Sequence, residues 1–173
     1  MCSASKTDAC DARRTGFSLG SNSGNRLAFL ERACDHLAQI FGDLRLSQVY
    51  ETEPVNCPPG SPTFLNACVE VATTMPTEEI LRCCQEIEKA LGRVRSGISG
   101  EARTCDIDLI YSGDLQVDTP QLTLPHPRAT QRRFVLQPLC DIDPTLVLPG
   151  QTSTVQELLA RLPESPSVTL FDL

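Results

Sequence analysis

Residues 103–113, RTCDIDLIYSG, carry the pattern on which the reading of the whole chain turns. Ile107, Ile110 and Tyr111 give the stretch the β-branched and aromatic content of a buried strand, with Leu109 and a short Cys105 among them. Asp106 and Asp108 interrupt it. Residues two apart on a strand share a face, so both carboxylates point the same way, ~7 Å apart along the chain. Cys105, Ile107, Leu109 and Tyr111 are expected on the opposite face. Like charges on one face of a half-buried strand repel, and burying either one unpaired is costly. Three arrangements relieve this: ion pairing to neighbours such as Arg93 or Arg103, an acid/base pair, or a shared divalent cation.

The segments around that strand alternate in type. GFSLGSNSG (16–24) is a short strand running into a turn, after a polar, aperiodic tail at 1–14. In NRLAFLERACDHLAQIFG (25–42), Leu27, Leu30, Cys34, Leu37 and Phe41 recur at three or four residues, which predicts an amphipathic helix ending at Gly42. RLSQVYETEP (45–54) alternates as one strand up to Pro54, and a proline-rich loop follows. TFLNACVEVATTM (63–75) is a strand with Phe64, Asn66, Cys68 and Glu70 on one face and Leu65, Ala67, Val69 and Val71 on the other.

PTEEILRCCQEIEKALGR (76–93) is a second helix, opened by Pro76 and two glutamates, with an Ile80, Cys84, Ile87, Leu91 stripe. A polar loop leads to the aspartate strand. The order is βαββαβ, which makes the expected fold class α+β: a ferredoxin-like core with helices on one face of a mainly antiparallel sheet. Residues 122–150 are expected to form a loop-rich C-terminal lobe, TSTVQELLARL (152–162) a final short helix, and 163–173 a tail. A single domain would then span 15–162.

Composition narrows the function. The net charge of −7 argues against general binding to nucleic acid or anionic membranes. No apolar run approaches a membrane span and no apolar signal-peptide core is visible, so the expected compartment is the cytoplasm and the expected state a monomer. The nine cysteines are odd in number and contain no Cys-x-x-Cys pair, which favours free thiols over disulfides or a metal cluster. Six of the fifteen basic residues are arginines between positions 93 and 133: Arg93, Arg95, Arg103, Arg128, Arg132 and Arg133. Arginine grips phosphate in two-pronged fashion, so a local arginine cluster on an acidic protein suggests a small anionic ligand. Glycoside cleavage would also use two carboxyls, but with six Phe, two Tyr and no Trp the chain offers few aromatic platforms for sugars. Two aspartates beside arginines instead match Mg²⁺-assisted phosphoryl transfer. No Walker-type glycine loop is present, because LGSNSG lacks its lysine.

The chain resembles the 6-hydroxymethyl-7,8-dihydropterin pyrophosphokinase family from Phe17 to about Pro149. The resemblance rests on LGSN (19–22), YETEPV (50–55), FLNA (64–67), EIEKALGRVR (86–95), RTCDIDLI (103–110), LPHPR (124–128) and RRFVLQPL (132–139), in the family's order. It implies the ferredoxin-like fold and transfer of diphosphate from ATP to a pterin alcohol in folate biosynthesis. By resemblance, Asp106 and Asp108 hold two Mg²⁺ ions, and Arg93 and Arg103 grip the phosphates. Gln85, Glu88, Arg95, Leu109, Thr123, His126 and Arg132 match positions around ATP. Thr52, Glu53, Val55, Phe64, Asn66 and Phe134 match positions around the pterin. Where the family usually reads an aromatic residue and then Gly-Pro-Arg, this chain has Gly100, Glu101, Ala102 and Arg103. That places a negative charge near a phosphate site in a loop that closes over both substrates in the family. Two alternatives stay open: a non-catalytic nucleotide or pterin binder of the same fold, and a metal-dependent hydrolase of diphosphate esters.

Overall fold

The computed structural model describes residues 11–173. β1 (Arg13–Ser21) leads into α1 (Arg26–Phe41), followed by β2 (Arg45–Leu46), β3 (Tyr50–Thr52) and β4 (Phe64–Thr73). α2 (Thr77–Ala90) returns the chain to β5 (Asp106–Ser112), the aspartate strand. The remainder holds β6 (Val117–Asp118), β7 (Thr123–Leu124), α3 (Arg133–Ile142), α4 (Val155–Arg161) and β8 (Val168–Leu170). The main sheet runs β5-β1-β4-β3-β8, with β2 also on β4, and every pairing is antiparallel. This is the expected ferredoxin-like sheet, with β5 at one edge.

α1 and α2 cover one face, as their stripes require. Phe17, Leu19, Leu65, Val69 and Ile107 from the sheet meet Leu30, Leu37, Ile80, Cys84, Ile87 and Leu91 from the helices. Asn25 starts α1 by accepting the Ala28 N–H at 3.1 Å, which satisfies one of the free donors of the first turn. Cys68, Cys84 and Cys105 are buried, and the seven cysteines among the described residues are free thiols. Among the described residues no helix is long and apolar enough to cross a membrane.

Several expectations are corrected. The stretch 122–150 is not simply loop: α3 forms despite Pro138 in its interior. Val135, Leu136, Leu139 and Ile142 make a stripe that packs, together with Leu148 and Val155, on the second face of the sheet, and that burial outweighs the lost backbone bond. Helices therefore cover both faces. The tail expected at 1–14 ends earlier, because Arg13 and Arg14 already pair with Thr73 and Ala72 in β1, while residues 1–10 lie outside the described residues. RLSQVYETEP is two strands. Leu46 sits opposite Val69 but Tyr50 opposite Asn66, so one extra residue is accommodated between them. The expected tail at 163–173 contributes β8, which pairs along β3.

Tyr111 lies on the opposite side from the one expected. Gly16 of β1 pairs with Tyr111 and Phe17 with Leu109, so Ile110 is an extra residue in β5. The bulge turns Ile110 and Tyr111 together toward α3. The Tyr111 ring lies over Gly16, where a Cβ would come within 2.2 Å of it. Its hydroxyl donates to the buried Glu70, which also takes Arg14 at 2.7 Å and Arg45 at 2.8 Å. Burial first, and then Glu70, push the tyrosine's pKa well above its ordinary value. Tyr111→Phe deletes one donor to a buried carboxylate, so it should lower unfolding stability by about 1–3 kcal/mol. Chemical denaturation measures this, and an unchanged midpoint would show that the two arginines satisfy Glu70 without it.

Candidate active site

The register of three strands lays out the floor of the site. Asp106 of β5 stands opposite Gly20 of β1, and Gly20 stands opposite Asn66 of β4. Asp108 stands opposite Ser18, one step along on the same face. One cross-strand row thus runs from a carboxylate, across a residue with no side chain, to an amide. A Cβ at Gly20 would sit 3.0 Å from the Asn66 Oδ1, so this glycine of LGSN keeps the floor open between them. The Asn66 amide is itself oriented, donating to the Thr52 Oγ1 at 2.7 Å.

Arginines close around the acidic end. Arg93 follows α2 and bonds both the Asp106 Oδ1 and, at 2.7 Å, the Glu88 Oε1. Arg103 takes the other Asp106 oxygen at 2.5 Å. Glu88 is buried on α2 and also accepts the Ile107 N–H at 2.8 Å, tying helix to strand. Its pKa is raised, by burial first, with the Ile107 N–H and Arg93 pulling the other way. Asp106 and Arg93 are largely buried, and of the three arrangements open to the two carboxylates the ion pair is the one Asp106 makes here. Asp108 differs. It opens into the cavity, yet its carboxyl pKa is raised, first by the surrounding protein and second by the charge of Asp106. His126 and Arg132 offset part of that rise. The His126 Nδ1 accepts the Arg128 N–H at 3.2 Å, which leaves the other ring nitrogen as the donor when the ring is neutral. Burial lowers the pKa of His126.

One cavity joins Arg103, Asp106, Asp108 and Arg132 to Thr52, Glu53, Val55, Phe64, Asn66 and Phe134. Arg132 lies over the Phe134 ring, 5.4 Å from its centroid, a stacking that holds both side chains at the start of α3. A second cavity is lined by Gln85, Glu88, Arg93 and Arg95. Arg93 lines this second cavity and Asp106 the first, so their ion pair links a residue of each. Leu109, Thr123 and His126 line neither cavity. The Leu109 side chain is in the core under α1 and α2, so only its main chain, on the edge strand, can face a ligand.

Two contributions were not legible in the sequence. Asn22 is buried and holds the main chain of Arg103 from both sides: its Oδ1 accepts the Arg103 N–H at 2.7 Å, and its own N–H donates to the Arg103 carbonyl at 3.0 Å. The asparagine of LGSN was the available signal. Leu162, Pro163, Ser165, Pro166, Ser167 and Val168 wall the larger cavity. They are placed by β8 pairing with β3 and by Arg133 donating to the carbonyls of Leu162 and Pro163, at 2.9 and 3.0 Å. Those contacts are long-range in sequence, which is why local pattern does not show the segment at the site.

Comparison with known proteins gives the family. A family model described as 7,8-dihydro-6-hydroxymethylpterin-pyrophosphokinase (HPPK) matches residues 16–144. A protein of Methylorubrum extorquens named 2-amino-4-hydroxy-6-hydroxymethyldihydropteridine pyrophosphokinase is 40% identical over 156 residues, covering 88% of this chain and 95% of its own length. The folic acid synthesis protein fol1 of Schizosaccharomyces pombe is 36% identical over 89% of this chain, which spans only 21% of that larger protein. Among solved structures, wild-type Plasmodium falciparum HPPK-DHPS with pteroate aligns with a TM-score of 0.68 at 15% identity, over 86% of this chain and 42% of that one, a likeness of fold. With its ferredoxin-like sheet and seven motif blocks in order, the chain belongs to the 7,8-dihydro-6-hydroxymethylpterin-pyrophosphokinase family.

Proposed function

We propose that this chain transfers the terminal diphosphoryl group of MgATP to the hydroxyl of 6-hydroxymethyl-7,8-dihydropterin and releases AMP. The observation that carries the reading is the row Asp106–Gly20–Asn66, which joins a carboxylate and arginine centre to an amide that shares one cavity with Phe64 and Phe134. A pterin is apolar on its faces and polar at its edge, so aromatic rings with one oriented amide suit it.

Charge decides what the other substrate must bring. Arg93 and Arg103 are already neutralised by Asp106 and Glu88. A bare triphosphate would add several negative charges to a balanced centre beside Asp108, so it enters favourably with cations of its own. The donors fit Mg²⁺, a hard ion that takes one or two carboxylates and completes its shell with phosphate oxygens and water. Asp106 and Asp108 would hold two such ions, which would screen phosphate charge from the two carboxylates. The rest falls to the chain. Arg93 and Arg103 exchange Asp106 for phosphate oxygens, and Asn22 keeps the Arg103 main chain fixed while its side chain moves. The pterin hydroxyl oxygen forms a bond to the β-phosphorus, the bond from that phosphorus to the α-phosphate oxygen breaks, AMP leaves with that oxygen, and the hydroxyl proton passes to solvent. The work is positioning and neutralisation, with no covalent protein intermediate.

Nucleotide product analysis tests this. AMP should form in step with a diphosphorylated pterin; bound pterin with intact ATP would favour the non-catalytic binder, and ADP or free diphosphate would favour another transfer or hydrolysis. Asp108→Asn should keep the fold by circular dichroism and lower kcat by ~10²-fold or more. A wild-type rate with unchanged Mg²⁺ dependence would contradict the assignment.

A further inference from the structure

The main sheet sets a scale along the larger cavity. Asp106 lies on β5 at one edge and Val168 on β8 at the other, four strand spacings or ~19 Å across the sheet. Val168 stands opposite Thr52 of β3, and Thr52 stands opposite Phe64 of β4. Directly paired residues share a face, so a second row, Phe64–Thr52–Val168, runs beside Asn66 and out to the sheet edge. The two rows are joined where the Asn66 amide donates to the Thr52 Oγ1. All four residues line the same cavity. The side of the cavity away from the carboxylate and arginine centre is therefore finished by β8.

The chain reaches β8 from the end of α4 through residues 163–167. These residues are exposed, so apolar burial does not hold them in place. Pro163 and Pro166 restrict the backbone between the two ends, and each end is tied. At the far end β8 pairs with β3. At the near end the Arg133 Nε donates to the Pro163 carbonyl at 3.0 Å and its Nη2 to the Leu162 carbonyl at 2.9 Å. Those carbonyls follow the last turn of α4, where main-chain acceptors lack helical partners and a cation is favoured. The fork of a guanidinium can take both at once, whereas a lysine ammonium is a single point donor. Arg133 lies between Arg132 and Phe134 at the start of α3. One helix end thus carries a ring that lines the cavity and the clamp on its outer wall.

We propose that Arg133 is a positioning residue: by clamping the Leu162 and Pro163 carbonyls it holds residues 163–167 as a fixed outer wall at the acceptor end of the cavity. The role rests on the reading of the acceptor as a pterin alcohol; the clamp itself does not. A flat acceptor gains affinity from a wall already in place, and a wall released at one end forfeits that gain. The proposed phosphate centre, at the opposite edge of the sheet, is tied together through Glu88 and Asn22 instead, so it keeps its geometry when the clamp is lost.

Arg133→Ala removes both bonds and Arg133→Lys restores one, so the pair separates the clamp from the mere presence of charge. Two readouts on the full chain compare them with wild type. The first is the rate of cleavage after Glu164 by a glutamate-specific protease, resolved by mass spectrometry, which needs no substrate. It should rise about tenfold in Arg133→Ala, the scale of losing one or two hydrogen bonds to a charged group, and by less in Arg133→Lys. The second is equilibrium binding of 6-hydroxymethyl-7,8-dihydropterin in the presence of a non-hydrolysable ATP analogue. The pterin Kd should rise about tenfold in Arg133→Ala and recover in part in Arg133→Lys. The analogue's Kd, and kcat at saturating substrates, should stay within about twofold. Unchanged cleavage in Arg133→Ala would overturn the proposal. So would an equal weakening of both ligands, which would make Arg133 a general support or a phosphate contact. Faster cleavage with an unchanged pterin Kd would overturn the positioning role and keep the clamp. Failure of the wild type to bind the pterin would defeat the functional reading instead, and the cleavage rates would still decide the clamp.

Discussion

The site is organised around one buried charge. Asp106 sits near the edge of a sheet, largely covered by protein, and its two oxygens are each taken by a guanidinium, from Arg93 and from Arg103. A carboxylate in that position is tolerable only when paired, and removing either partner would leave an uncompensated buried charge. The pairing reaches outward through Glu88 to α2 and the main chain of β5, and through Asn22 to the end of β1. Three elements that carry site residues are thus held to one another by the group around which the chemistry is proposed to occur.

The same constraint explains the loops. Arg93 and Arg103 bracket the stretch 94–102, so pinning both to Asp106 fixes the two ends of that loop. Its middle is then shaped by Glu101, whose carboxylate accepts the Ser96 N–H. Two glycines of β1, four residues apart, play parallel parts underneath. Gly16 makes room for the Tyr111 ring and its bond to Glu70, and Gly20 leaves the floor open between Asp106 and Asn66. One anchors the sheet to its second helical layer and the other clears the ground for a ligand.

Much of this was legible from local pattern. Period-2 and period-3.6 hydrophobicity found β4, α1, α2 and the shared face of Asp106 and Asp108, because those elements bury a single well-marked stripe. What escaped depended on contacts distant in sequence. The bulge at Ile110 that turns Tyr111 over is set by pairing with β1, and β8 exists only against β3. α3 was obscured by Pro138 and its neighbouring prolines, although Val135, Leu136, Leu139 and Ile142 already spelled its buried face. In the site, the carboxylates and arginines could be named from sequence and the residues at the other end of the cavity from the family resemblance, whereas the sharing of Asp106 between two arginines and the grip of Asn22 required the fold. Glu101, which looked like a misplaced charge, is a loop clip.

The central proposal is that Asp106, which pairs with Arg93 and Arg103, exchanges them for a cation when a nucleotide's phosphates draw the arginines away. Manganese binding followed by electron paramagnetic resonance, with and without a non-hydrolysable ATP analogue, tests it directly. The account expects weak Mn²⁺ binding to the protein alone and two tightly held ions per chain once the analogue is present. Two tight ions in the absence of nucleotide would contradict it, as would a complex that holds no more Mn²⁺ than the analogue binds by itself.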